Sequence, residues 1–141
     1  MKIFLDANVL VSVLNKEYPL FPYSARVLSL MYKETFQLYT SPICLAISYY
    51  FSEKKSGASA AKRKIDLLNS KILVSEVGSE EVFKTLKNPL IQDFEDGLEY
   101  YSALKTSGEA IVSEDSNGFY FSEIPVYTCQ DFLEKVVISG V

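Results

Sequence analysis

Met1-Lys2-Ile3-Phe4-Leu5-Asp6-Ala7-Asn8-Val9-Leu10-Val11 opens the chain, and the fold is decided by how this stretch is read. Ile3, Phe4 and Leu5 form the short apolar run of a strand buried on both faces. The run stops at Asp6, and the apolar residues Val9, Leu10, Val13 and Leu14 then recur at helical spacing. A strand that ends at an acid and turns into a helix places that acid at the carboxyl end of a sheet. In open α/β sheets this is the edge where ligands bind.

The rest of the chain alternates. A helix from Pro22 and Ser24 to Tyr32 precedes a strand over Phe36 to Tyr39, and Ser41-Pro42 starts a helix that runs to Lys55 and breaks at Ser56-Gly57. Ala58 to Asn69 is helical, Lys71 to Val77 is a strand, and Ser79 caps a helix that ends at Asn88-Pro89. Asp93 caps a further helix from Phe94 to Ser107, which Gly108 closes in a left-handed conformation. Ala110-Ile111-Val112 and Pro125-Val126-Tyr127 are the last strands. Thr128 starts a terminal helix, and Ser139-Gly140-Val141 is expected to fray. Such alternation implies an α/β fold with three layers, helices covering both faces of a mostly parallel sheet. At 141 residues the chain is expected to be one domain, residues 1–141.

Composition narrows the chemistry. The chain has no histidine, which removes serine–histidine and cysteine–histidine hydrolysis and the usual imidazole zinc sites. Cys44 and Cys129 lie far apart without paired spacing and are expected to be buried reduced thiols. The net charge of -4 argues against broad charge-driven binding of nucleic acid. With no run of about 20 apolar residues and no leader pattern, no membrane role is expected and the cytoplasm is the expected location.

The acids carry the argument further. Helical periodicity places Asp93, Asp96, Gly97 and Tyr100 on one face, with Asp93 also able to act as a cap. Gly97 inside a helix costs about 1 kcal/mol against alanine, so something is expected to approach that face closely. A doubly wound sheet would bring Asp6 and Asp115 to one crevice, with Asn8 and Ser113 beside them. Converging carboxylates without histidine suit magnesium or manganese and phosphodiester hydrolysis. Lys54, Lys55, Lys62, Arg63 and Lys64 are the candidate contacts to an RNA backbone, and Tyr49-Tyr50-Phe51 and Phe119-Tyr120-Phe121 the candidate stacking faces.

Leu5-Asp6-Ala7-Asn8-Val9-Leu10, Asp93-Phe94-Glu95-Asp96-Gly97-Leu98-Glu99-Tyr100-Tyr101-Ser102-Ala103, Ala110-Ile111-Val112-Ser113 and Ile124-Pro125-Val126-Tyr127-Thr128 together resemble a PIN domain. The resemblance spans essentially the whole chain and is closest to short bacterial PIN proteins, among them the VapC-type toxins of toxin and antitoxin pairs. It implies a metal-dependent ribonuclease with four acids around magnesium or manganese. Asp6 and Asp96 stand at two of the four acid positions, and Asn8 and Ser113 at the polar supporting positions. The family's glutamate after strand two falls on Ile47 and its last aspartate on Gly118, with Asp115 as the substitute. The resemblance therefore implies either a weakened nuclease, with RNA as substrate and the ion held weakly or not at all, or a degenerate domain that binds an antitoxin-like protein or another copy of itself. Homo-oligomerisation is expected. Val9, Leu10, Tyr18, Leu20 and Phe21 are the candidate contacts for such a partner. Phosphatases of the haloacid dehalogenase type share an acid after strand one, but their second aspartate is Asn8 here.

Overall fold

The computed structural model describes residues 1–138. The expectation for Ser139 to Val141 lies outside them. Five strands form one sheet: β1 (Lys2–Leu5), β2 (Gln37–Thr40), β3 (Leu73–Val74), β4 (Ala110–Val112) and β5 (Val126–Tyr127). Their order is β3-β2-β1-β4-β5, and every pairing is parallel. The helices are α1 (Ala7–Leu14), α2 (Phe21–Leu28), α3 (Pro42–Ser56), α4 (Ala58–Asn69), α5 (Ser79–Lys87), α6 (Phe94–Lys105) and α7 (Cys129–Phe132). A 3₁₀ turn extends α2 over Ser29–Tyr32, a second spans Ser116–Phe119, and α7 loosens into a π turn over Leu133–Ile138. The three-layer α/β/α arrangement is the one the alternation implies.

Burial explains why β1 sits at the centre. Ile3, Phe4 and Leu5 have no exposed surface, and neither do their β4 partners Ala110, Ile111 and Val112. A strand apolar on both faces is stable only where helices cover both. The order of strands reverses between β1 and β4, and ligand crevices open at such a reversal. The ladder continues to the very edge, where the Asp6 N–H donates to the Val112 carbonyl at 3.0 Å and the Ser113 N–H to the Tyr127 carbonyl at 2.9 Å. Asp6 and Ser113 are therefore fixed by sheet hydrogen bonds.

Several local expectations are corrected. The third strand contains only Leu73 and Val74, both exposed at the sheet's edge. The cap of α5 is Gly78, whose N–H donates to Glu81 Oε1 at 2.8 Å, so the end is satisfied from within the helix and Ser79 is its first residue. At the end of α6 the left-handed residue is Ser107, at φ 59°. Gly108 has a different reason: a Cβ there would stand 2.8 Å from the Ala103 carbonyl oxygen.

Gly97 is also explained by packing. A Cβ at this position would lie 2.4 Å from Thr85 Cγ2 and 2.9 Å from Ile91 Cγ2, so what approaches the helix is α5 and the loop after it. Gly97→Ala would gain about 1 kcal/mol of helix propensity, but it overpacks a buried β-branched neighbour at about 1–3 kcal/mol. Urea unfolding is expected to show a net loss of stability.

Candidate metal centre

Asp6 follows β1 directly and is the N-cap of α1, its Oδ1 accepting from the Ala7 N–H at 2.7 Å. Its Oδ2 accepts from the Ser113 hydroxyl at 2.7 Å. Ser113 Oγ also receives Asn8 Nδ2 at 3.2 Å and the Asp115 N–H at 3.1 Å, and Asn8 Oδ1 accepts from the Glu114 N–H at 3.1 Å. Asn8 and Ser113 thus tie the β1 and β4 edges together and leave Asp6 in one rotamer.

The other acids come from α6 and from the loop after β4. Asp93 caps α6, its Oδ1 accepting from the Asp96 N–H at 3.0 Å. One turn later Asp96 lines an open pocket of about 490 Å³ together with Asp6, Glu17, Asp93, Glu95, Glu114 and Asp115. Asp115 lies over Gly118, where a Cβ would stand 2.5 Å from Asp115 Oδ2. The absence of a side chain at 118 is what lets the Asp115 carboxylate occupy that space. Ile47, half-buried on α3, lines the same pocket.

Electrostatics mark this as a place for a cation. None of the pocket's lining residues is lysine or arginine, so its seven acidic residues line it without a cationic side chain among them. Burial pushes the Asp96 carboxyl up to about 7, with Asp93, Asp6, Asp115 and Glu95 adding repulsion in that order. Glu95 is also raised, first by burial and then by Asp6 and Asp93. Like charges held this close favour either protons or a metal. Oxygen donors of this kind fit a hard divalent ion.

Two residues beneath the pocket carry weight that the sequence reading did not give them. Glu99 and Cys44 are fully buried against Asp6, with Cys44 Sγ 3.2 Å from Glu99 Oε1 and 4.0 Å from Asp6 Oδ1. Burial first, and Asp6 next, push the Glu99 carboxyl up to about 10. The Cys44 thiol is raised by burial, then by Glu99 and Asp6. A signal for Glu99 existed: Asp93, Asp96 and Glu99 recur at a spacing of three, which keeps successive members on neighbouring sides of α6. Both cysteines are free and buried, as their spacing implies.

Other candidates lie elsewhere. Lys54 stands over the Tyr50 ring at 5.0 Å, Lys55 donates to the Asn15 carbonyl, and Lys64 donates to Ser56 Oγ at 3.2 Å. Lys62 and Arg63 are exposed on α4. None of these five lines the acid pocket. Of the aromatic clusters, Phe119 and Phe121 are core, which removes them as stacking faces, while Tyr50, Phe51 and Tyr120 are exposed and Phe51 borders the pocket. Val9 and Leu10 have no exposed surface and are not partner contacts; Tyr18 is exposed.

The model of the PIN domain matches residues 2–117, which include β1, the acids of α6 and the Ser113 edge. The chain belongs to the PIN domain family. Among curated proteins, Ribonuclease VapC1 of Aquifex aeolicus (strain VF5) is 28% identical over 141 residues, covering 95% of this chain and 94% of the relative. Among solved structures, VapBC2 from Rickettsia felis, bound to a DNA fragment from their promoter, is similar at 18% identity with a TM-score of 0.65. That match covers 90% of this chain and 97% of the other. VapC20 of Mycobacterium tuberculosis, a Sarcin-Ricin loop cleaving toxin, matches at 14% identity with a TM-score of 0.67, covering 84% and 94%. The two structures support the fold over 90% and 84% of this chain. Among the described residues no helix is long and apolar enough to cross a membrane.

Proposed function

We propose that this PIN domain, acting as a single domain over residues 1–141, is a metal-dependent endoribonuclease of the VapC type located in the cytoplasm. The observation that carries the reading is the seven-carboxylate pocket without a cationic side chain, at the sheet edge where β1 and β4 part. Asp6, Asp96 and Asp115 would hold magnesium or manganese. Such an ion supplies a water of lowered pKa and neutralises charge on a phosphodiester. The chain's own part is positional: Ser113 and Asn8 fix Asp6, the Asp93 cap fixes the start of α6 and with it Asp96, and Gly118 leaves room for Asp115. Phe51 at the pocket's rim offers a stacking face for an RNA base.

Lys54, Lys62 and Arg63 would contact phosphates beyond the pocket, which makes RNA binding salt-dependent. An antitoxin-like protein is the proposed regulator, since relatives of this fold occur in VapBC complexes. An apolar groove of about 180 Å³ bordered by Val13, Leu14, Leu28, Met31 and Leu67 suits the apolar face of such a segment. A homo-oligomer is proposed as well.

The deciding experiment incubates the purified chain with single-stranded RNA in manganese or magnesium, with a chelator control. Cleavage that requires the ion and is stopped by the chelator is the expected result. Intact RNA at saturating manganese would leave the domain as a partner-binding module, the reading that Ile47 in the pocket favours.

A further inference from the structure

The acid pocket has an apolar part that its metal chemistry leaves unused. Ile47 and Phe51 lie one turn apart on α3, Val11 stands on α1, which packs against α3, and Leu20 precedes α2. All four line the same cavity of about 490 Å³ as the acids. Ile47 is half-buried and Phe51 is exposed, so both offer surface to a ligand.

Six of the pocket's seven acids come from the ends of β1 and β4 and from α6. Glu17 alone comes with the apolar residues, on the turn after α1. That turn is fixed from several directions. Asn15 Nδ2 donates to the Phe51 carbonyl at 3.3 Å and Lys55 donates to the Asn15 carbonyl. The Glu17 N–H donates to the Ser12 carbonyl at 2.9 Å, and the Glu17 carbonyl accepts from the Phe21 N–H at 2.7 Å. The Glu17 side chain is exposed and has no hydrogen bond or ion pair among the described residues.

An ionised carboxylate only accepts hydrogen bonds. Beside an apolar wall it suits a ligand that is flat, apolar on its faces and rich in donors along one edge, which describes a nucleobase of single-stranded RNA. Guanine alone among the four bases presents two adjacent donors on its Watson–Crick edge, N1–H and the N2 amino group. Adenine and cytosine offer an amino group beside an acceptor nitrogen, and uracil one N–H between two carbonyls. We propose that Val11, Leu20, Ile47 and Phe51 form a guanine-binding subsite in which Glu17 accepts from N1–H and from the N2 amino group. Its consequence, a preference for cutting RNA next to guanosine, rests on the ribonuclease reading; recognition of the base itself involves no metal. Ile47, at the position of the family's glutamate, then serves choice of substrate.

The probes are fluorescein-labelled uridine hexamers that carry one guanosine, inosine or adenosine. Methylphosphonate linkages make them uncharged, so the acids do not repel them and no phosphodiester is present to be cut. Fluorescence anisotropy in chelator is expected to rank guanosine above inosine, which lacks the N2 amino group, by about tenfold for the charge-assisted hydrogen bond lost, with adenosine lower still. Glu17→Gln, a change at an exposed side chain, is expected to erase the preference for guanosine over adenosine, since an amide matches a donor and acceptor pair on adenine. Glu95→Gln, in the same pocket, is expected to keep it. Equal affinity for the guanosine and adenosine hexamers, or a preference that survives Glu17→Gln, overturns the proposal. So does displacement of the guanosine hexamer by acetyl-arginine amide at equal concentration, which would give Glu17 to a protein side chain. The same sequences as ordinary RNA, incubated in manganese, separate the two readings. Cleavage without selective guanosine binding defeats the subsite alone, while guanosine-selective binding without cleavage upholds the subsite and defeats the ribonuclease.

Discussion

Asp6→Asn is expected to abolish magnesium-dependent cleavage while leaving the fold intact. Asparagine is as good an N-cap as aspartate, and its Oδ1 can still accept from the Ala7 N–H that Asp6 now receives at 2.7 Å. Its amide can donate to Ser113 Oγ in place of the bond that Ser113 now gives to Asp6 Oδ2. The variant also removes one of the charges that repel Asp96 and Glu99. Stability should therefore be kept or improved. What is lost is the one carboxylate that faces both the pocket and the buried Cys44–Glu99 pair. Replacing residues that merely support a metal ligand costs about 10–100-fold in affinity or activity, so loss of this ligand should cost at least about 100-fold. Calorimetric titration with manganese, together with a cleavage assay, checks it. A variant that binds and cuts as the parent does would show that Asp6 is not a ligand of the ion.

The opening stretch was readable because its physics is local. Ile3, Phe4 and Leu5 must be covered on both sides, Asp6 must leave the sheet, and Val9, Leu10 and Val13 turn on a helical period. Ser41-Pro42 and Asp93 were equally legible, since a cap and a proline act on the backbone beside them. The errors fell where the reason is tertiary. Lys71 to Val77 had the residue types of a strand, yet an edge partner reaches only Leu73 and Val74. At Gly97 a close approach is expected and found, but that Thr85 on a different helix makes it is not readable from the sequence.

The site divides in the same way. Asp6 and Asp96 announce themselves as acids at a strand end and in a helix's first turn. Cys44 gives no such sign, because a lone cysteine on an amphipathic helix is ordinarily core, and its meaning comes from the parallel β1–β2 pairing that sets the start of α3 beside Asp6. Glu99 was legible only as the third member of a spacing of three. Glu114, whose Oε2 accepts from the Cys129 N–H at 2.8 Å, joins the pocket through a contact that no spacing reveals.

Asp96→Asn separates the metal's needs from the apo protein's comfort. The Asp96 carboxyl is raised to about 7 in the fold, by burial first and by its acidic neighbours after it, against about 4 in an unfolded chain. The folded state therefore holds a proton that the unfolded chain gives up. Its contribution to stability is fully present below about pH 4 and is lost as pH rises through about 7. Glu99, raised to about 10, continues the same trend to higher pH. Metal-free protein is accordingly expected to melt at a higher temperature at pH 5 than at pH 8, by less than full burial would give, since solvent reaches Asp96. Asp96→Asn has no proton to lose and should melt above the parent at pH 8 in chelator, with little difference at pH 5. Magnesium should reverse the order: it competes with that proton, so it should stabilise the parent more at pH 8 than at pH 5 and leave the variant unmoved. A variant that melts below the parent at pH 8 in chelator would mean that the Asp96 carboxylate makes more favourable contacts than repulsive ones, and the pocket would no longer be a site short of a cation.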